Sequence, residues 1–516
     1  MDLKNTVIGI ELGSTRIKAA MIDGSFTPIA SGSYEWENRL VNGIWTYGYD
    51  EIDKGVRGCF QSLKDDVKNK FNLDINTTGA IGISAMMHGY IPFDKNDVPL
   101  VGFRTWRNTI TGKAADILTK DLEFNIPQRW SIAHLYHAIL TGESHLSKLY
   151  RVSTLAVYVH YKLTGRFVAG VGEASGMFPI NTAGTDYDDA MIDKFNRLTG
   201  LDLRSLLPEV LSAGQNAGSL TLNGARYLDP EGLLAPGIPF APPEGDAGTG
   251  MVATNSVAVR TGNVSAGTSD FAMVVLEKPI GVHAEIDIVK TPHGRDVAMV
   301  HCNNCTSDIN AWVMLFDEFV KELGAKINKR NLYDLLFKKA LEGDFDCGGL
   351  MHFNYYSGES ITHFDEGRPL FIRKPDSKLS LSNFMRSNLM SALATLKIGL
   401  DILRKENVKI DKLYGHGGYF KTVGVGQRIL SAATEAPVSV MESAGEGGAY
   451  GMALLCAFLL WKIGDETLED FLQYKVFKSC SSHELIANAD EINGFRRYIE
   501  EYKKAIPLER LAVEVY

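Results

Sequence analysis

Two stretches about 250 residues apart constrain this chain more than anything else in it. They are "VIGIELGSTRIKAAMID" (7–23) and "VAVRTGNVSAGTSDFAMVVLE" (257–277). Each runs from an alternating, β-branched segment through Gly with Ser or Thr into a second apolar segment. That pattern predicts a β-hairpin. Two related hairpins at this separation predict two similar domains, each opening with a sheet. Between them lies "LLAPGIPFAPPEGDAGTG" (233–250), rich in Pro and Gly. It places the domain boundary near 255, giving domains 1–255 and 256–516.

The remaining elements alternate strands with helices, which predicts an α/β architecture. "TGAIGISAMMHGYIPFD" (78–94) is a β-rich run interrupted at Met86, Met87 and His88. "SNLMSALATLKIGLDILRKEN" (387–407) has helical periodicity and a basic end, as a helix C-terminus prefers. "DKLYGHGGYFKTVGVGQRILSAATEAPVSVM" (411–441) reads strand, glycine turn, helix, strand. "ESAGEGGAYGMALLCAFLL" (442–460) reads as a glycine turn entering an apolar helix.

A length of 516 residues is too great for one ordinary core. The charge balance, 53 basic against 62 acidic residues, gives −9. It argues against a nucleic-acid or anionic-membrane surface and favours small-molecule chemistry. "MALLCAFLLW" (452–461) is about half a membrane span and reads as a buried helix. The start, "MDLKNTVIGI", lacks a signal-peptide pattern, and six cysteines in so long a chain suggest reduced thiols. Both lead to the expectation of a cytoplasmic protein. Cys302 and Cys305 form a lone C-x-x-C, without the second pair or His spacing that zinc requires.

Glycine turns are the commonest chemical feature, centred on Gly13, Gly267, Gly415–Gly418 and Gly445–Gly448. Such a turn lets backbone N–H groups converge on an anion, with Ser and Thr hydroxyls adding donors. Any one of them also reads as a plain tight turn. Four in a two-domain α/β chain fit a ligand with several phosphates. No G-x-x-x-x-G-K-[ST] occurs, so the chain is not a P-loop protein. "GEGGAYG" (445–451) partly matches a dinucleotide turn and leaves a nicotinamide-dependent oxidoreductase open as an alternative.

Asp246, flanked by Gly245 and Gly248, reads either as a proton acceptor facing a cleft or as an N-cap of the helix that follows. Glu11 ends the first apolar run. A charge there is awkward unless it faces a cleft or a metal. His88 beside Met87, with Trp106, Arg107 and Asn108 soon after, could line a polyol pocket with an aromatic face and polar groups.

In order along nearly the whole chain, these stretches resemble the FGGY carbohydrate kinases, on the actin-like ATPase (ribonuclease H-like) fold. "IGIELGSTRIKAAMID" looks like the first phosphate motif and "GISAMMHGYIPFD" like the Met-His-Gly segment of the sugar pocket. "EGDAGTGMVAT" resembles the motif with the catalytic Asp, and "VSAGTSDFAMVV" the second phosphate motif. "YGHGGYFKTVGVGQRIL" and "EGGAYGMALLCA" look like the adenosine-side motifs. The resemblance implies two domains of mixed sheets flanked by helices, with the active site in the cleft between them. Sugar would bind mainly to the first domain and ATP mainly to the second.

The same resemblance implies the site residues. Asp246 would be the general base, and Glu11 with Asp246 would place Mg²⁺. Met87, His88, Trp106 and Asn108 would contact the sugar. Gly13, Ser14, Thr15 and Lys18 would hold phosphate from the first domain, and Gly267, Thr268 and Ser269 from the second. Gly415, Gly417 and Gly418 would admit adenosine. The implied reaction is ATP-dependent phosphorylation of a ketose, first D-xylulose to xylulose 5-phosphate. Ribulose, fuculose, L-xylulose or a polyol are alternatives, as is a weakened sugar- or nucleotide-binding member. Sugar and ATP are the implied partners, with neither nucleic acid nor membrane, and the homodimer is a common assembly of the family. Glu11 stands where the family usually has Asp, Asn108 where it has an acid, Ile110 where it has Arg, and Ala247 where xylulose kinases often have Asn. "GESIT" (358–362) lacks an Arg that is often present.

Overall fold

A computed structural model of the chain describes residues 2–440, 447–478 and 483–516. The chain forms two compact units. One gathers Met1–Val257, Asp287–Val297 and Glu446–Ser479; the other gathers Ala258–Ile286, Ala298–Gly445 and Cys480–Tyr516. The main passage between them follows Val257, close to the expected boundary. The units are nonetheless not the uninterrupted segments 1–255 and 256–516, because two later stretches return to the first unit.

The first unit is built on a sheet of β1 (Thr6–Leu12), β2 (Arg16–Asp23), β3 (Pro28–Glu35), β4 (Ala80–Ala85) and β5 (Glu244–Gly245), in the order β5-β4-β1-β2-β3. β1 and β2 form the expected hairpin, with Val7 opposite Ile22 and Glu11 opposite Lys18. β4 runs parallel to β1, and β5 parallel to β4. Val7, Ile8, Ile10 and Leu12 are all fully buried, as are the side chains of β4. A strand covered on both faces reads as a continuous apolar run, which is what the sequence shows. The helix Tyr49–Phe71 buries Ile52, Val56, Cys59, Phe60, Leu63 and Val67, three and four residues apart, on one face. Asp50 and Glu51 sit in its first turn and Lys68 and Lys70 in its last, complementing the helix dipole.

The helix Gly447–Trp461 contains the apolar run read as buried, and Gly448–Phe458 is buried throughout. Among the described residues no helix is long and apolar enough to cross a membrane. This helix lies directly on β1. A Cβ added at Gly9 would sit 2.2 Å from the Ala449 carbonyl oxygen and 2.4 Å from the Ala453 nitrogen. Where Gly451 meets the helix Asp246–Ala253, a Cβ would sit 1.9 Å from the Thr249 carbonyl oxygen. Only glycine permits backbones this close, and that contact returns the segment to the first unit.

The second unit repeats the strand logic. β6 (Thr261–Ala266) and β7 (Asp270–Val275) form the second expected hairpin. β9 (Lys412–His416) runs parallel to β6, as β4 does to β1. β8 (Asp296–Cys302), which belongs to this unit from Ala298 onward, lies beside β7. β10 (Val438–Val440) and β11 (His483–Leu485) extend the sheet beyond β9 in the order β8-β7-β6-β9-β10-β11. The expected helix over 387–407 is two helices, Leu381–Ala392 and Ala394–Lys405. They meet at Leu393, whose φ of −109° and ψ of 3° leave the helical region.

Replacing Gly9 by Val is expected to destabilise the first unit by about 3 kcal/mol or more, because rigid backbone rather than a side-chain tip stands in the way. Gly24→Ala, with nothing within 4 Å of its Cβ position, is the control. Calorimetric melting of the two variants checks this, and an unshifted Gly9→Val transition refutes it.

Candidate active site

Three parallel strands of the first unit, β1, β4 and β5, end on the same edge of the sheet. Their ends place Glu11, the Met86–His88 segment and Asp246 together, because residues just beyond the carboxyl ends of parallel strands face a common side. Asp246 does not cap the helix Asp246–Ala253. Gly245 occupies the cap position and Asp246 is the first helical residue. Its Oδ1 accepts a hydrogen bond from the Met87 N–H at 3.1 Å. Burial pushes its carboxyl up to about 6, while the amides of Met87 and Ala247 pull it down.

Glu11 meets the N-terminus of the helix Gly447–Trp461. Its Oε2 accepts from the Ala449 N–H at 3.3 Å. Gly448 leaves room for it, since a Cβ there would sit 2.6 Å from Oε1. Burial raises the Glu11 carboxyl to about 7, with the charge of Asp246 adding to the rise. Lys18 and the amides of Ala449 and Gly448 oppose it. The helix N-terminus stabilises the anion in the same sense. The charge in "IGIELG" is thus matched by a cation across the hairpin and by amides from a segment more than 400 residues away.

Met87 and His88 are nearly fully buried. His88 holds a left-handed backbone at φ 73°, unusual for a non-glycine residue, and Gly89 follows at φ 93°. The His88 Nδ1 lies 3.3 Å from the Gly176 carbonyl oxygen, and its ring stacks on Trp130 with centroids 6.3 Å apart. The turn after β1 is fixed from behind. Gly13 C=O accepts from the Trp36 indole at 2.7 Å, Ser14 C=O from the Tyr47 hydroxyl at 2.5 Å, and Thr15 C=O from the Trp36 N–H at 3.3 Å.

Asn108 and Trp106, the other two expected sugar contacts, have protein partners of their own. Asn108 is buried, and its amide is occupied by backbone. Its oxygen accepts from the Trp45 N–H at 2.9 Å, and its nitrogen donates to the Trp45 and Thr105 carbonyls at 2.9 Å each. It anchors a loop. Trp106 packs, half-buried, against the hydrophobic core of the unit. Sequence reasoning missed two buried acids beside Asp246. Glu244 accepts from the Glu173 N–H at 2.9 Å, and burial pushes its carboxyl up to about 8. Burial likewise raises the Glu173 carboxyl well above its usual range, with Glu244 and Asp246 adding repulsion. A lone Glu in "VGEASG" carries no pattern that could have announced it.

In the second unit, the turn Gly267–Ser269 closes the hairpin, with the Gly267 N–H donating to the Ser269 carbonyl at 2.9 Å. Gly417 sits at φ 99° and abuts β6, where a Cβ would lie 2.4 Å from the Ala266 carbonyl oxygen. Gly415 is covered by the Phe420 ring. These two glycines answer to packing, whereas Gly418 faces open space. Of the "GEGGAYG" stretch, Gly445 lies outside the described residues and Gly451 is the helix-packing contact described above.

Strand-end carboxylates raised by burial, beside a glycine turn, form a set that can take a proton and bind a divalent cation. The model of the FGGY family of carbohydrate kinases, N-terminal domain, matches residues 6–252, and that of its C-terminal domain matches residues 262–460. The chain belongs to the FGGY family of carbohydrate kinases. It is 22% identical over 520 residues to a xylulose kinase from Haemophilus influenzae, covering 96% of this chain and 98% of the relative. Two solved structures share the fold. A xylulose kinase from Brucella ovis superposes with a TM-score of 0.79 at 17% identity, covering 98% of this chain and all of that one. A gluconate kinase from Lactobacillus acidophilus superposes at 0.78 and 16% identity, covering 97% of each chain. At such identities these structures establish the fold and leave the sugar open.

The raised carboxyls make stability depend on pH. Glu11 and Asp246 hold protons more tightly folded than unfolded, so their contribution to stability is full below about pH 4. It is lost as pH climbs through about 6 and 7. Glu11→Gln and Asp246→Asn are therefore each expected to be about 2 kcal/mol more stable than wild type at pH 8, and equal to it at pH 4. Urea melts in chelator at the two pH values check this, and equal stability at both refutes it.

Proposed function

We propose that this carbohydrate kinase phosphorylates a ketopentose, D-xylulose first, to give xylulose 5-phosphate. The Haemophilus influenzae xylulose kinase, aligned over nearly its whole length, supports the sugar class. The observation that carries the chemistry is Asp246 at a strand end, held by the Met87 amide and followed in the fold by His88. With its carboxyl near 6, Asp246 is mostly ionised at neutral pH and still basic enough to take a proton.

In this reading Asp246 accepts the proton of the attacking sugar hydroxyl. The hydroxyl oxygen forms a bond to the γ-phosphorus of ATP, the bond from that phosphorus to the bridging oxygen breaks, and ADP leaves. A positioned base contributes about 10²–10⁴ in rate. Met87 and His88 orient the sugar. The turn Gly13–Thr15 with Lys18, and separately the turn Gly267–Ser269, receive phosphate oxygens. Gly418 gives adenosine access to backbone. Asn108 and Trp106 act through the loop they support.

Mg²⁺ fits the donors available. It takes one or two carboxylates and completes its shell with phosphate and water, and Glu11 and Asp246 supply two carboxylates. Among the described residues no group of three or more His, Cys, Asp or Glu could hold a metal. Bound there, Mg²⁺ would offset the charge of the phosphates. A cytoplasmic setting and a homodimer go with this reading.

The test is coupled ADP release with Mg-ATP across ketoses, aldoses, aldonic acids and polyols. Wild type is expected to respond to D-xylulose, and Asp246→Asn to lose at least about 100-fold in kcat. A response to a different sugar replaces the substrate and keeps the base. Full activity in Asp246→Asn removes the base.

A further inference from the structure

Behind the Gly267–Ser269 turn the second unit carries a brace. The Gly267 C=O accepts two hydrogen bonds from Thr306, one from its N–H at 2.9 Å and one from its hydroxyl at 2.7 Å. The Thr268 C=O accepts from the Cys305 N–H at 2.9 Å. The segment that donates these bonds, 303–306, is itself tied to one carboxylate. Glu359 Oε2 accepts from the Asn303 N–H at 3.0 Å, the Asn304 N–H at 3.3 Å and the Asn304 side-chain amide at 3.2 Å. The Asn304 side chain in turn accepts from the Tyr356 and Ser357 N–H groups at 2.9 and 3.0 Å, locking the segment to the loop that leads to Glu359.

Glu359 is fully buried, at 0% exposure. A carboxylate removed from water is costly unless hydrogen bonds compensate it, and here three N–H donors converge on one oxygen. The physical consequence lies at the turn. A glycine turn attracts an anion only while its carbonyls point elsewhere, since a carbonyl lone pair facing phosphate repels it. Thr306 and Cys305 hold the Gly267 and Thr268 carbonyls back, and Glu359 holds the segment that carries those donors.

We propose that Glu359 is a positioning residue for the phosphates of ATP, acting through the 303–306 segment on the Gly267–Ser269 turn without touching the nucleotide. This rests on the reading of that turn as a phosphate site. It gives the Glu of "GESIT" a role in nucleotide affinity and none in recognition of the sugar.

The test uses the full chain and three variants: Glu359→Ala, Glu359→Gln and Thr306→Val. ATP affinity is measured by calorimetry without sugar, and KM for ATP and for the sugar by coupled ADP release. Glu359→Ala is expected to weaken ATP binding and raise its KM roughly tenfold, with the sugar KM unchanged. Glu359→Gln keeps an acceptor oxygen in place and is expected to recover most of the loss. Thr306→Val removes one hydroxyl bond at constant shape and is expected to weaken ATP about threefold. Unchanged ATP affinity in Glu359→Ala, or equal loss for ATP and sugar, overturns the proposal. Should Glu359→Ala fail to fold, unchanged ATP affinity in Thr306→Val overturns it. A wild type that does not bind ATP ends the reading of the turn and this proposal with it. A wild type that binds ATP and turns over, beside unaffected variants, ends this proposal alone.

Discussion

The first unit depends on two close backbone contacts made by one helix. The helix Gly447–Trp461 lies against β1 at Gly9 and against the helix Asp246–Ala253 at Gly451, closer than any side chain permits. That closeness does three things. It covers the central strand, whose residues are apolar on both faces. It sets the start of the long helix against Glu11, so that helix amides oppose part of the rise that burial imposes on its carboxyl. It also fixes the helix that begins with Asp246 relative to the same strand. Packing, electrostatics and the position of the proposed base therefore share one cause.

The acids of the first unit gain their character from their surroundings. Asp246, Glu11, Glu244 and Glu173 all have carboxyls raised chiefly by burial. Repulsion among neighbours pushes the same way, and amides and Lys18 push back. A base near 6 is stronger than a free aspartate and still ionised at neutral pH, which suits proton abstraction from a hydroxyl. In the second unit the same economy governs the turn after β6. Its carbonyls are held by a neighbouring segment, and that segment by a buried carboxylate.

The hairpins, the alternation of strands with helices and the apolar helix that ends at Trp461 were legible because each is a local pattern. Alternation, a glycine turn and a long apolar run record which faces are buried. Glu11 stood out as a charge where an apolar run should continue, and Asp246 as an acid between glycines. The backbone bonds of Asn108 were not legible, because an amide in a loop looks the same whether it faces a ligand or closes on backbone. The packing at Gly415 and Gly417 was not legible either, because a glycine needed for a ring or a neighbouring strand resembles one needed for a nucleotide. Glu173 and Glu244 gave no sign, since nothing in "VGEASG" or "PPEGD" records that the two meet.

The sequence by itself determined two α/β halves opened by matching hairpins and a long buried apolar helix near the C-terminal end. These follow from short-range pattern, which the chain states directly. Only the tertiary structure decided that 287–297 and 446–479 belong with the first unit, although the family's C-terminal domain runs without a break from 262 to 460. It alone brought the Ala449 amide to Glu11 and the Glu359 carboxylate to the segment behind the Gly267 turn. Those contacts join residues far apart in the chain, and the approach of backbones at glycine that creates them leaves no periodic trace.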